Sequence, residues 1–193
     1  MPLPPSEIDR EPLHTRSVRV NSFQRVDGQW DIEAELIDIK AYDFPRRDGS
    51  VHAAGRPIHH LHLRVTIDDT FTITAAVAAY DAAPYDQHCS CIASAYGQLV
   101  GLNLLRNFRQ VVKDRFLRVK GCTHLTELAY LLPTVAMQTM ANKRRKERAA
   151  SATSVAKRPF QLEGCHALRL SGPVAQQYYP EWYVASDHEA SCR

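Results

Sequence analysis

No stretch of this chain approaches the ~18 consecutive apolar residues of a membrane span. The opening residues, MPLPPSEIDREPLHTR, hold prolines and charges but no apolar core of the secretory kind, so the expected location is the cytoplasm. Glycine is scarce, eight in 193 residues, and forms neither a GxGxxG fingerprint nor a phosphate-binding loop. That argues against nucleotide-driven chemistry. The absence of HExxH removes the zincin pattern, and there is no CxxC pair of the zinc-ribbon kind. An excess of one charge is missing too. The 24 basic residues are nearly matched by 21 acidic ones, for a net +3, which is not the footprint of a dedicated nucleic-acid binder.

What is present describes a folded domain. Hydrophobic residues make up 45% and charged residues 23%, and at this length a core can form without disulfides or metal. A metal here would therefore serve function more than folding. The five cysteines, odd in number and uneven in spacing, read as thiols and not as a disulfide framework.

Residues 1–12 read as a loose proline-containing tail and 186–193 as another. Between them, 13–185 read as one α+β domain. Its sheet spans 16–80, its helical part 91–148, a Ser/Ala linker 149–158, and a C-terminal segment 159–185 folds back on the body. SVRVNSFQRVDGQWDIEAELIDIK is a hairpin around the Asp27-Gly28 turn. In its second strand Trp30, Ile32, Ala34 and Leu36 alternate with Asp31, Glu33 and Glu35. Ile37 and Ile39 take the opposite phase, which predicts a bulge or a change of buried face near Leu36. RRDGSVHAAGRP is a long polar connection. In IHHLHLRVTI, Leu61, Leu63, Val65 and Ile67 share one face, and His60, His62, Arg64 and Thr66 the other. After a turn at Asp68-Asp69 comes a fourth strand with Phe71, Ile73, Ala75 and Val77 in phase. The expectation is an antiparallel sheet of about four strands packed against helices from the C-terminal half. CIASAYGQLVGLNL and NFRQVVKDRF predict short helices. Thr123 caps a longer one from His124, which Pro133 kinks or ends.

Cysteine and histidine cluster at three stations: His88-Cys89-Ser90-Cys91, Cys122-Thr123-His124 and Cys165-His166. Brought together, Cys89, Cys122, His124 and Cys165 would offer a soft N/S set for zinc or iron. Buried thiols packing as small apolar groups are the plainer account. A nucleophilic account also stands. Gly121 lets the chain turn sharply, and Cys122 precedes a helix N-terminus that favours thiolate. Glu127 or Glu33 would move protons. His124 and His166 are the candidate bases, and His166 is the better one, because residues two apart on a helix do not face each other. On the sheet's polar face, Asp31 and Glu33 are expected near His60 and His62, as proton-transfer pairs, a hard-metal site or a solvated face. The run Lys143-Arg148 reads as a solvated helix end before nucleic-acid contact.

LHTRSVRV, DGQWDIEAELIDIKAYDF, IHHLHLRVTIDD, DAAPY with Cys89, LVGL, GCTHLTELA and CHAL together resemble a bacterial family, domain-of-unknown-function family 2889. The resemblance covers most of the chain, from about His14 to Trp182. It implies that His14, Arg16, Trp30, Asp31, Glu33, Asp38, His59, Cys89, Cys122, His124, Glu127, Cys165 and His166 occupy motif positions. It implies no activity. Ser-Cys after Cys89 departs from the family pattern and weakens Cys91 as a shared ligand.

Two functional readings remain from the sequence. One is an enzyme of small-molecule metabolism, built on Cys122, His124, Cys89 and His166, with a small-molecule ligand. The other is a non-catalytic ligand-binding or assembly module with structural thiols. Self-association into a homo-oligomer stays open.

Overall fold

The computed structural model describes residues 3–150, 158–159 and 161–185. It divides the chain into two compact units, Met1–Lys143 and Arg144–Arg193.

The first unit is built on strands β1 (His14–Gln24), β2 (Trp30–Lys40), β5 (Pro57–Ile67) and β6 (Ile73–Ala82). They form one antiparallel sheet in the order β1-β2-β5-β6. Short strands β3 (Phe44–Pro45) and β4 (Val51–His52) pair as a separate ribbon inside the polar connection. The β1–β2 turn needs a left-handed residue, and Gly28 supplies it at φ +85°.

The alternation in β2 holds without a break. Trp30, Ile32, Ala34 and Leu36 are buried, and the next inward position is Asp38, buried like them. The expected change of face near Leu36 is therefore corrected. Ile37 and Ile39 lie on the outer side, and the register irregularity falls later, between Asp38 and Ile39. In β6 a register shift opposite Thr66 and Ile67 moves the phase after Ile73. Ala76, Ala78 and Tyr80 face inward, while Val77 is half exposed and Ala75 lies outside.

Helix α1 (Asp86–Ser90), a 3₁₀ segment over Ala93–Leu99 and α2 (Phe108–Phe116) follow the sheet. Helix α3 (Thr123–Thr139) packs across β1, β2 and β5, with α2 against it. The core between sheet and helices includes Ile32, Leu36, Leu61, Leu63, Tyr96, Phe116, Leu125, Leu128 and Leu132, all essentially inaccessible to solvent. Each such aliphatic side chain contributes about 2 kcal/mol by leaving water. Helix α3 continues through Pro133. The chain bends at Gly121, as expected from the sequence, although the residue's own backbone is extended. Glycine is required there because a Cβ would lie 2.6 Å from the Phe116 carbonyl oxygen and 2.8 Å from Phe116 Cβ. The contact keeps the end of α2 close against the start of α3.

Helix α4 (Ala141–Ala150) includes the division between the units. In the second unit, two 3₁₀ turns at His166–Leu168 and Pro180–Trp182 flank α5 (Pro173–Tyr178), with Leu162 and Ala175 buried. The anticipated linker lies mostly outside the described residues, as does the 186–193 tail.

Candidate functional site

All four long strands contribute a polar side chain to the inner face at one end of the sheet. Register sets this up: Arg16 of β1 and His59 of β5 are both cross-strand partners of Asp38 in β2. The Asp38 carboxylate is 2% exposed. It accepts from Arg16 Nε at 2.8 Å and from the terminal guanidinium nitrogen at 2.8 Å. His14 Nε2 lies 3.0 Å from Oδ1, and His59 Nδ1 lies 3.0 Å from Oδ2. This bidentate pairing is the strong form of the interaction. Burial alone would raise the Asp38 pKa. The Arg16 hydrogen bonds and charge, with help from His14 and His59, outweigh it and hold the group down at about 2.

Helix α3 lays its first turns over this end. His124 and Glu127 are three apart and share a face. Glu127 Oε2 takes the other arm of Arg16 at 2.6 Å. His124 Nε2 is 3.6 Å from Asp38 Oδ2, and its ring lies 4.0 Å from that of His59, tilted by 36°. Burial, then the charges of His59 and Arg16, lower His124 to about 4 against the pull of Asp38. His59 is lowered as well, chiefly by burial. Both imidazoles are therefore neutral near pH 7.

Cys122, not Thr123, is the N-cap residue of α3, with extended backbone at φ −92°, ψ 127°. Helical geometry therefore does not apply to the Cys122–His124 pair. The thiol turns back, and Sγ sits 3.9 Å from His124 Nδ1. This corrects the expectation that the two side chains point apart, on which the preference for His166 rested. The Cys122 backbone is fixed by Tyr96. The Tyr96 hydroxyl accepts from Cys122 N–H at 3.0 Å and lies 2.8 Å from both the Cys122 carbonyl oxygen and Thr126 Oγ1. Tyr96 itself is stacked on Phe116, and burial pushes its pKa up to about 12. Beside the thiol, the buried Tyr80 hydroxyl has no hydrogen-bond partner of ordinary geometry among the described residues. Its pKa is raised by burial and then by the neighbouring Cys122 thiol.

A cleft of about 470 Å³ opens onto this row, lined by His59, Tyr80, His88, Cys89, Cys122 and His124, among others. Two of the three cysteine–histidine stations thus meet on one cleft. The third, Cys165 and His166, belongs to the second unit. There Cys165 is an exposed free thiol, and His166 Nε2 lies 3.0 Å from an Arg169 guanidinium nitrogen. Glu33 is on the outer face of the sheet, 3.4 Å from Arg64.

Among the described residues, two groups have possible ligand atoms within 4.8 Å of one another: Asp38–His59–His124 and Glu35–His60–His62. Neither contains a cysteine, so the set Cys89, Cys122, His124 and Cys165 is not such a group. Cys122 Sγ and His124 Nδ1 are 3.9 Å apart, but among the described residues no third member of that set joins them within 4.8 Å. The inner group fits an ion poorly, because Arg16 already occupies both Asp38 oxygens with a fixed positive charge. On the outer face the expected partners of His60 and His62 shift by register. Glu35 and Asp81 meet them, while Asp31 bonds Thr66 and Glu33 meets Arg64.

No helix among the described residues is long and apolar enough to cross a membrane. Searches of curated proteins and of solved structures return no match. A family profile does match, over residues 14–138, a span that begins at His14 and takes in Arg16, Asp38, His59, Cys122, His124 and Glu127, but neither Cys165 nor His166. This chain belongs to that family, described as a protein of unknown function (DUF2889).

Proposed function

We propose that this protein is a thiol-dependent enzyme of small-molecule metabolism, with Cys122 as nucleophile toward an acyl carbonyl bound in the cleft. One observation carries the reading. Cys122 Sγ, the two nitrogens of His124 and the Asp38 carboxylate form a continuous row, 3.9 Å and 3.6 Å between successive polar atoms. A nucleophile, a base and a group that orients the base are the parts such chemistry needs. In the step proposed, sulfur bonds to the carbonyl carbon, and the thiol proton passes to His124 Nδ1. His124 then delivers that proton to the departing heteroatom, leaving an acyl thiol on Cys122. Asp38 stabilises the imidazolium that forms in between. The first N–H groups of the 17-residue α3 face the same end and favour negative charge on sulfur and on the carbonyl oxygen. Tyr96 and Gly121 position Cys122 without touching substrate. A working thiol of this kind suits a reducing compartment such as the cytoplasm.

A second reading, a zinc or iron ion held by Asp38, His59 and His124, is favoured by the closeness of those ligand atoms. It requires displacement of Arg16.

The test uses tag-free protein, short acyl thioesters and activated esters, with mass spectrometry of the cysteine peptides. An acyl adduct on Cys122, lost with Cys122→Ser, is the expected result. Labelling of exposed Cys91 in preference to Cys122 would defeat the thiol reading. Stoichiometric zinc or iron removed by His59→Ala would then favour the second reading, and neither result would leave a binding module.

A further inference from the structure

The outer face of the same sheet carries a second cluster, which the thiol chemistry does not use. His60 and His62 are two apart on β5, so both rings project to that side, with centroids 4.6 Å apart. Glu35 lies opposite His62 on β2 and brings Oε1 to 3.0 Å from His60 Nε2. Its other oxygen is 3.1 Å from Arg19. From the third strand comes Asp81. The β5–β6 register shifts between His60 and Leu61, whose partners are Ala82 and Tyr80, and Asp81 is the extra residue between them. Such a bulge re-aims one side chain. Asp81 Oδ2 is placed 2.8 Å from His62 Nε2 and 3.5 Å from His60 Nδ1. Two imidazoles and two carboxylates from three rigid strands therefore converge, and the potential ligand atoms of Glu35, His60 and His62 all lie within 4.8 Å of one another.

We propose that Glu35, His60 and His62 form a binding site for a zinc-like divalent cation, with Asp81 as fourth ligand or as the hydrogen-bond partner that orients a ligating histidine. Two imidazoles with a carboxylate are a borderline-soft set suited to zinc. An acidic partner on a ligating histidine is the usual outer support. Several features favour this cluster over Asp38–His59–His124. Among the described residues the arginine or lysine paired with it is Arg19, which contacts the oxygen of Glu35 that faces away from His60 and is largely exposed to solvent. The inner carboxylate has a guanidinium on both oxygens. The outer side chains are also partly open: His60 and Glu35 are about one-fifth exposed and His62 about one-third, so an ion can enter without unfolding the core. Bound there, an ion would tie β2, β5 and β6 together directly behind the cleft.

The experiment is a Zn²⁺ titration of tag-free, metal-stripped protein against a chromogenic chelator, with the thiols blocked by alkylation so that cysteine cannot bind the metal. Circular dichroism checks that each variant is folded. The expected result is one equivalent bound. His62→Ala and His60→Gln should each weaken binding at least tenfold, Glu35→Gln should weaken it less, and His124→Ala should leave it unchanged. Zinc should also raise the thermal midpoint of the parent protein and not that of His60→Gln/His62→Ala. Equal affinity in the parent and the double variant would overturn the proposal. So would loss of binding in His124→Ala with retention in His62→Ala, which would move the ion to the inner face. Because the readout is metal binding by thiol-blocked protein, failure here is separate from failure of the thiol chemistry.

Discussion

On the inner face, Asp38 is 2% exposed and meets Arg16, His14, His59 and His124. On the outer face, Glu35 and Asp81 meet His60 and His62 with 21% and 60% of their side chains in water. The residue types are the same, and Glu35 and Asp38 are three positions apart on one strand. Solvent makes the difference. Inside, a carboxylate must be charge-paired to be tolerated, so Arg16 is recruited, and His59 and His124 are held neutral. Outside, water screens the same pairs, which hold little energy and leave their ligand atoms available. This contrast is what supports the proposals of proton transfer at the inner cluster and ion capture at the outer one.

The largest way to break this contrast is Asp38→Ala. It leaves a guanidinium and three histidines facing a cavity, and it should cost about 3 kcal/mol in urea denaturation. A loss below that of an exposed pair would remove the distinction between the faces. The next effect is on acid stability. His124 titrates at about 4 in the fold against an ordinary 6.5. Below 6.5 the unfolded chain takes up a proton that the folded chain refuses. Stability from this group is complete above 6.5 and is lost as pH falls through 4, by on the order of 3 kcal/mol. His124→Gln should flatten the pH–stability curve in that window; an unchanged slope would contradict the assigned burial. Asp38 adds a second loss in the same direction, from about 3.8 down through 2. Glu35→Gln, on the outer face, should change stability by less than about 1 kcal/mol. Smallest is Tyr80→Phe, which removes a buried hydroxyl without an ordinary partner; unfolding should show no loss, or a gain of up to about 1 kcal/mol. A clear loss would reveal a hydrogen bond to the Cys122 thiol.

Much of the sheet was legible in the sequence, because period-two patterning and the Asp27-Gly28 turn are local signals. The phase of its strand ends was not. Asp38 keeps the inward phase of Trp30, Ile32, Ala34 and Leu36, yet by polarity it reads as an outward residue beside Ile37 and Ile39. Only a guanidinium from another strand makes the inward position tolerable, and a cross-strand partner has no local signature. The position of Cys122 at the start of a helix was visible; its contact with His124 was not, since that depends on the ψ of a single N-cap residue. Tyr96 and Tyr80 carried no signal either. Each lies in an apolar run, and its role comes from where the chain returns. His14, Arg16, Asp38 and His59 were indicated by family resemblance and not by pattern.

The most direct measurement is the second-order rate of alkylation of Cys122 by iodoacetamide at neutral pH, followed on its own peptide, in the parent protein and in His124→Ala. If the row from Cys122 through His124 to Asp38 activates the thiol, the parent rate exceeds that of exposed Cys91 and falls at least tenfold in the variant. Equal rates for Cys122 in the two proteins would contradict the account.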